Sequence, residues 1–186
     1  MRSEGHEAVS LRPLATSLGV SHVAVLHHYA SRDELLAAVA VRGFDQLQEA
    51  LDRAAPGERP RRAFRRLGEA YIAWACANGH LYRLMFATRL RASGEHPELE
   101  ARAGRLFEHV AAVIARAQEA RELRGGSPHD HAFFAWSAAH GAALLLLDEQ
   151  ATLRTLADRP PAELVAVVLD RVRRGTARRP RPSRPR

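Results

Sequence analysis

Ser10–Leu36 reads SLRPLATSLGVSHVAVLHHYASRDELL: two short helical patterns meeting at a tight glycine turn, with a much longer helix directly behind them. Leu11, Leu14, Ala15 and Leu18 share one helical face. Ser10 can cap that helix by accepting a free backbone N–H of its first turn. Pro13 falls within that turn, where a missing N–H costs little. Gly19 suits the left-handed residue that ends a helix, and Val20 can plug the core beneath it. Ser21 caps the second helix, which carries His22, Val23, Ala24, Val25, Leu26, His27 and His28. Ser31 with Glu34 makes a capping box for the third.

Helix, glycine turn, helix is the geometry that sets a recognition helix into the DNA major groove. Val25 should face inward with Val20, which leaves His22, Val23, Ala24 and His27 outward toward base edges. The runs Gly19-Val20-Ser21, His28-Tyr29-Ala30-Ser31-Arg32-Asp33 and Leu35-Leu36 resemble the DNA-binding head of the TetR family of bacterial transcriptional regulators. The resemblance implies a homodimer presenting two recognition helices, about one DNA turn apart, to a palindromic operator. It implies phosphate contacts from Ser10, Ser21, His28, Tyr29 and Arg32, and base contacts from Arg12, His22, Val23, Ala24 and His27. Two positions depart from the family pattern. Leu26 stands where a phosphate-touching Tyr is usual, and Arg32 replaces a usual Lys, keeping the charge and adding a phosphate-matching fork. Only MRSEGHEA precedes the motif, whereas the family has a full first helix there. Either the start was assigned too late or the head is truncated.

Working outward, Leu35, Leu36, Val39, Phe44, Leu47 and Leu51 continue the third helix, with Gly43 as a weak point. Pro56-Gly57-Glu58-Arg59-Pro60 is the first clear break. Residues 1–51 therefore read as a helix-turn-helix head with its connecting helix, and residues 52–174 as a helical ligand-binding and dimerisation domain. Residues 175–186, TARRPRPSRPR after a glycine, read as a disordered tail. The expected fold is all-α.

Within the body, a helix from about Arg61 to Ala77 places Phe64, Leu67, Tyr71, Trp74 and Ala75 on one stripe, opposite a solvated face of Arg61, Arg62, Arg65 and Arg66. A short apolar helix, HLYRLMF, follows Asn78-Gly79. A long helix is expected from about Glu98 to Leu123, and another from about Asp130 to Gln150. Trp136 and His140 share a face of the latter, being four apart. With Gly141 they resemble the Trp-His-Gly signature of one class of TetR C-terminal domain. Gly141 reads as a point of close helix approach. That resemblance implies an effector pocket near Trp74, Phe86, Trp136 and His140, although His140 also suits a plain hydrogen-bonded helix histidine. Pro160-Pro161 opens a last helix that is apolar nearly all round. Such a helix wants two partners: its own body and a second subunit.

Composition narrows the function. The chain has 186 residues and a net charge of +7, and every one of its 28 basic residues is Arg. Eight of those follow Asp170, so residues 1–170 hold 20 Arg against 21 acids, a net of −1. The head through Leu51 has four Arg against six acids, so charge alone does not argue for nucleic acid. No apolar run approaches the ~20 residues of a membrane span, and Met1–Ala8 is no signal peptide. The single cysteine, Cys76, forms no internal disulfide, fits a cytoplasmic chain and reads as a buried thiol. No metal, cofactor or catalytic set is expected. His129-Asp130-His131 could bind a metal only weakly and no Cys pair or His-Glu-x-x-His occurs, Gly125-Gly126-Ser127-Pro128 is a break rather than a phosphate loop, and no nucleophile elbow appears.

The chain thus reads as a ligand-responsive, non-enzymatic regulator, most often a repressor, whose partners are double-stranded operator DNA, a second copy and a small apolar effector. The alternative is a dimeric helical small-molecule-binding or interaction module that has lost DNA binding through truncation.

Overall fold

The computed structural model describes residues 29–88, 90, 94–148 and 159–177. Six helices lie within them: α1 (Arg32–Ala54), α2 (Pro60–Ala77), α3 (Gly79–Met85), α4 (Pro97–Glu119), α5 (Pro128–Leu147) and α6 (Pro161–Thr176). No strand occurs among the described residues, and the fold is all-α.

Local chemistry sets the helix ends. At the start of α1, Ser31 Oγ accepts the Glu34 N–H at 3.1 Å, and the Glu34 carboxylate accepts the Ala30 N–H. The expected capping box is there, with its return bond shifted one residue upstream. At the start of α2, Pro60 needs no amide partner and Arg59 supplies no side-chain cap. The cap comes instead from Glu122, whose Oε2 accepts the Arg61 N–H at 2.9 Å. α4 stops at Glu119, short of the expected Leu123, because Arg121 turns left-handed at φ 58°. The N–H groups of Glu122 and Leu123 then fold back onto the Ala117 carbonyl at 2.8 and 3.1 Å. The break before α5 doubles as its cap, since Ser127 Oγ accepts the Asp130 N–H at 3.2 Å and the helix starts at Pro128. α6 runs past the expected boundary at residue 175. Thr176 is buried and donates its hydroxyl to the Val172 carbonyl at 2.9 Å, while the Arg124 N–H donates to the Thr176 carbonyl at 2.9 Å.

The chain forms two compact units, one drawn from Met1–Phe44 and His80–Arg102, the other from Asp45–Gly79 and Ala103–Arg186. In the first, Leu35, Leu36, Ala40, Phe44, Tyr82 and Met85 are buried. Gly43 has its reason here, because a Cβ at that position would lie 2.6 Å from Met85 Sδ.

In the second unit α2, α5 and α6 pack on one another. α5 turns Ala132, Ala135, Ala139 and Ala143 inward. These small side chains bring its neighbours close. α5 and α6 run antiparallel. Gly175, near the end of α6, lies against the Phe134 ring, and Leu146, near the end of α5, lines a hollow with Pro161. Gly141 departs from expectation, since no atom of the described residues within 4 Å would meet a Cβ there. Among the described residues no helix crosses at it, and Phe134 and Leu145 on the same helix are exposed.

Candidate functional site

Three features of the described residues bear on function: the start of α1, a hydrogen-bonded aromatic group in the second unit, and the outer face of α5 and α6. At the first, Tyr29 and Arg32 are half-buried beside the capped helix start. Ser10, Arg12, Ser21, His22, Val23, Ala24, His27 and His28 lie outside the described residues.

The second feature is built on Tyr71, which α2 presents inward at 6% exposure. A buried phenol needs a polar partner. Trp136 Nε1–H donates to Tyr71 Oη at 3.1 Å, and Tyr71 Oη lies 3.2 Å from His140 Nδ1. The Trp136 and His140 rings are 5.4 Å apart, as their four-residue spacing on α5 requires. Phe107 of α4 meets Trp136 edge-on at 6.4 Å, and Phe133 adds a further edge contact at 6.3 Å. Of the four expected effector residues, the structure brings together Trp136 and His140. Trp74 is half-buried on α2, and Phe86 belongs to the other unit, edge-on to Phe44 and tilted against Tyr82. Tyr71, which joins the pair, was not among the expected site residues. Its hydroxyl on an otherwise apolar stripe was the available signal.

An apolar hollow of about 410 Å³ opens between α2 and α6, walled by Ile72, Ala73, Cys76, Val165 and Leu169, with Leu146 of α5. None of Trp74, Phe86, Trp136 or His140 lines it. Cys76 is exposed here, contrary to the buried thiol expected, because it faces out from α2 into this hollow. The apolar wall still desolvates the thiol enough to raise its pKa above 9.0. On α6, the Arg173 hydrogen bond, with Arg174 beside it, holds the Asp170 carboxyl below the usual carboxylate range. No group of three or more His, Cys, Asp or Glu able to hold a metal is found among the described residues. The His129 ring is taken up by Glu108 at 3.0 Å and that of His131 by the Ser127 carbonyl at 2.9 Å. No described helix is long and apolar enough to cross a membrane.

The third feature is apolar and outward. Phe133 is 60% exposed, Leu145 59% and Val167 43%, with Phe134 and Leu144 also exposed. Single exposed apolar side chains are ordinary; here five of them lie on two helices that pack on each other.

Residues 1–39 match the family described as bacterial regulatory proteins, tetR family, and residues 64–176 match the tetracyclin repressor-like C-terminal domain. An uncharacterized HTH-type transcriptional regulator of Mycobacterium tuberculosis is 30% identical over 146 residues, 76% of this chain. The chain spans 62% of the length of that curated relative. A solved protein of unknown function from Rhodococcus sp. RHA1 is 31% identical with a TM-score of 0.78, covering 95% of this chain and 89% of that one. A TetR family transcriptional regulator from Thermus thermophilus has the same fold, with a TM-score of 0.70 at 22% identity over 92% of this chain and 91% of that one. With more than half of its length matched by the C-terminal domain alone, the chain belongs to the TetR family of transcriptional regulators.

Proposed function

We propose that the chain is a ligand-responsive repressor that binds a palindromic operator as a homodimer and releases it when a small apolar molecule enters the helical body. The observation that carries this is the pairing, in one chain, of a regulator head and a TetR-type body. Ser10, Ser21, His28, Tyr29 and Arg32 hold phosphates, and Arg12, His22, Val23, Ala24 and His27 read bases. Trp136 and His140, bridged by Tyr71, are the core of the effector site, with Trp74 of the same unit as a further member. The effector acts by favouring one of two head spacings, so it must bind the two forms unequally. The outer face of α5 and α6 takes a second copy. The protein works in the cytoplasm without a cofactor.

The test is a gel shift of the purified chain on its own upstream intergenic DNA at two salt concentrations. A specific shift that weakens with salt supports the reading. Absence of any shift, with or without an added upstream helix, overturns it in favour of a helical binding module without DNA affinity. Arg32→Ala should weaken binding to all sequences about equally and lower the salt slope by about one. His27→Ala should change sequence preference, and the reverse pattern would refute these roles.

A further inference from the structure

The outer face of α5 and α6 carries more than apolar surface, because its charges are arranged to match themselves. Val167 is exposed near the middle of α6. Glu163 and Arg171 are also exposed, four residues before and four after it. Four residues advance a helix by about 6 Å and return to nearly the same face. One helix face thus reads acid, apolar, base, with equal spacing on either side of Val167. A copy of α6 laid antiparallel across Val167 sets each Glu163 against the other's Arg171.

The remaining charges leave that pairing available. Asp170 is taken by Arg173 and Arg174, at 2.6 Å each, while Arg171 has no ion pair among the described residues. Among the described residues Glu163 pairs only with Arg159, at 3.4 Å and open to solvent, and such pairs exchange at little cost. α5 agrees on the centre. Phe134 lies against Gly175, and Leu146 lines the same hollow as Pro161. Counting inward at about 1.5 Å per residue brings Gly141 level with Val167. The open site at Gly141, with no described atom within 4 Å of a Cβ, therefore falls near the middle of the outer face.

Resting on the homodimer reading above, we infer that two copies meet about a two-fold axis at the Gly141–Val167 level, with α6 antiparallel to α6 and two reciprocal Glu163–Arg171 pairs. A two-fold interface requires one surface complementary to itself, and the acid–apolar–base order supplies it.

The register is tested by charge exchange between chains. Glu163→Arg and Arg171→Glu each place like charges together in their own homodimers but opposite charges in the mixed dimer. Mixed in equal amounts, and followed by native mass spectrometry, they should give a heterodimer share well above random mixing, with the excess shrinking as salt rises. Random mixing overturns the register. Arg171→Gln leaves the first turn of α6 untouched and should weaken the dimer and flatten its salt dependence; an unchanged dissociation constant and salt dependence overturns the register even if Glu163→Arg fails to fold. Leu145→Asp separates the two ideas. Loss of the dimer there alongside random charge mixing would retain the face and discard the pairing, whereas a wild-type chain that sediments as a monomer would discard both.

Discussion

Gly141→Ala should have opposite effects on the protomer and on the dimer. Among the described residues of one chain a Cβ at this position meets nothing within 4 Å, so the methyl adds no clash there. The change then reports helix propensity alone, in which alanine exceeds glycine by about 1 kcal/mol in a helix interior. For a domain of this size that raises the melting temperature by roughly 2–4 °C. The dimer responds in the other direction, because the methyl enters the centre of the face that the second copy covers. Leu145→Asp supplies the protomer background, since Leu145 is 59% exposed and contributes little to its own core. Urea unfolding in that background should show the gain of about 1 kcal/mol, and sedimentation of Gly141→Ala alone should show a weaker dimer. A gain in both measurements would mean that no partner helix approaches Gly141. A loss in the Leu145→Asp background would mean that the space beside Gly141 is not open.

Three other substitutions test the second unit. Tyr71→Phe removes the oxygen on which the Trp136 and His140 bonds converge, and should cost about 1–3 kcal/mol in denaturant unfolding; a cost near zero would mean the group is not held by this hydroxyl. Arg121→Gly relieves a left-handed residue at the end of α4 and should stabilise by roughly 0.5–1 kcal/mol, and a destabilised variant would refute the backbone reading. Asp170 has its pKa lowered from 3.8 by Arg173 first, so its contribution is present above pH 3.8 and is lost as pH falls through the lowered value. The stability gap between wild type and Asp170→Asn, followed by circular dichroism, should therefore hold steady at higher pH and close only on the acid side.

Legibility of the fold in the sequence followed the range of the forces involved. The capping box of Ser31 and Glu34 spans three residues, and the α1 core positions Leu35, Leu36, Phe44, Leu47 and Leu51 repeat at helical spacing; both were readable because both are local. The end of α4 was misplaced because Arg121 is not a residue type that announces a left-handed turn. Glycine within a helix usually signals a close approach, yet among the described residues the space beside Gly141 is open. Residue type favours a buried Cys76, but its exposure is decided by the placement of α2 against α6. At the candidate site, the four-residue spacing of Trp136 and His140 was visible, but their meeting point was not. Tyr71 lies 65 residues from Trp136, and no periodicity reports a contact of that length.

The cap that Glu122 gives to Arg61 has a consequence for hydrogen exchange. One amide in the first turn of α2 is protected by a carboxylate 61 residues later in the chain, not by its own helix. Its exchange rate therefore follows the opening of the corner between α4 and α5 rather than fraying of α2. A slowed Arg61 amide means a closed corner, so this single proton can be watched while effector or DNA is added, to learn whether either reaches that end of the bundle.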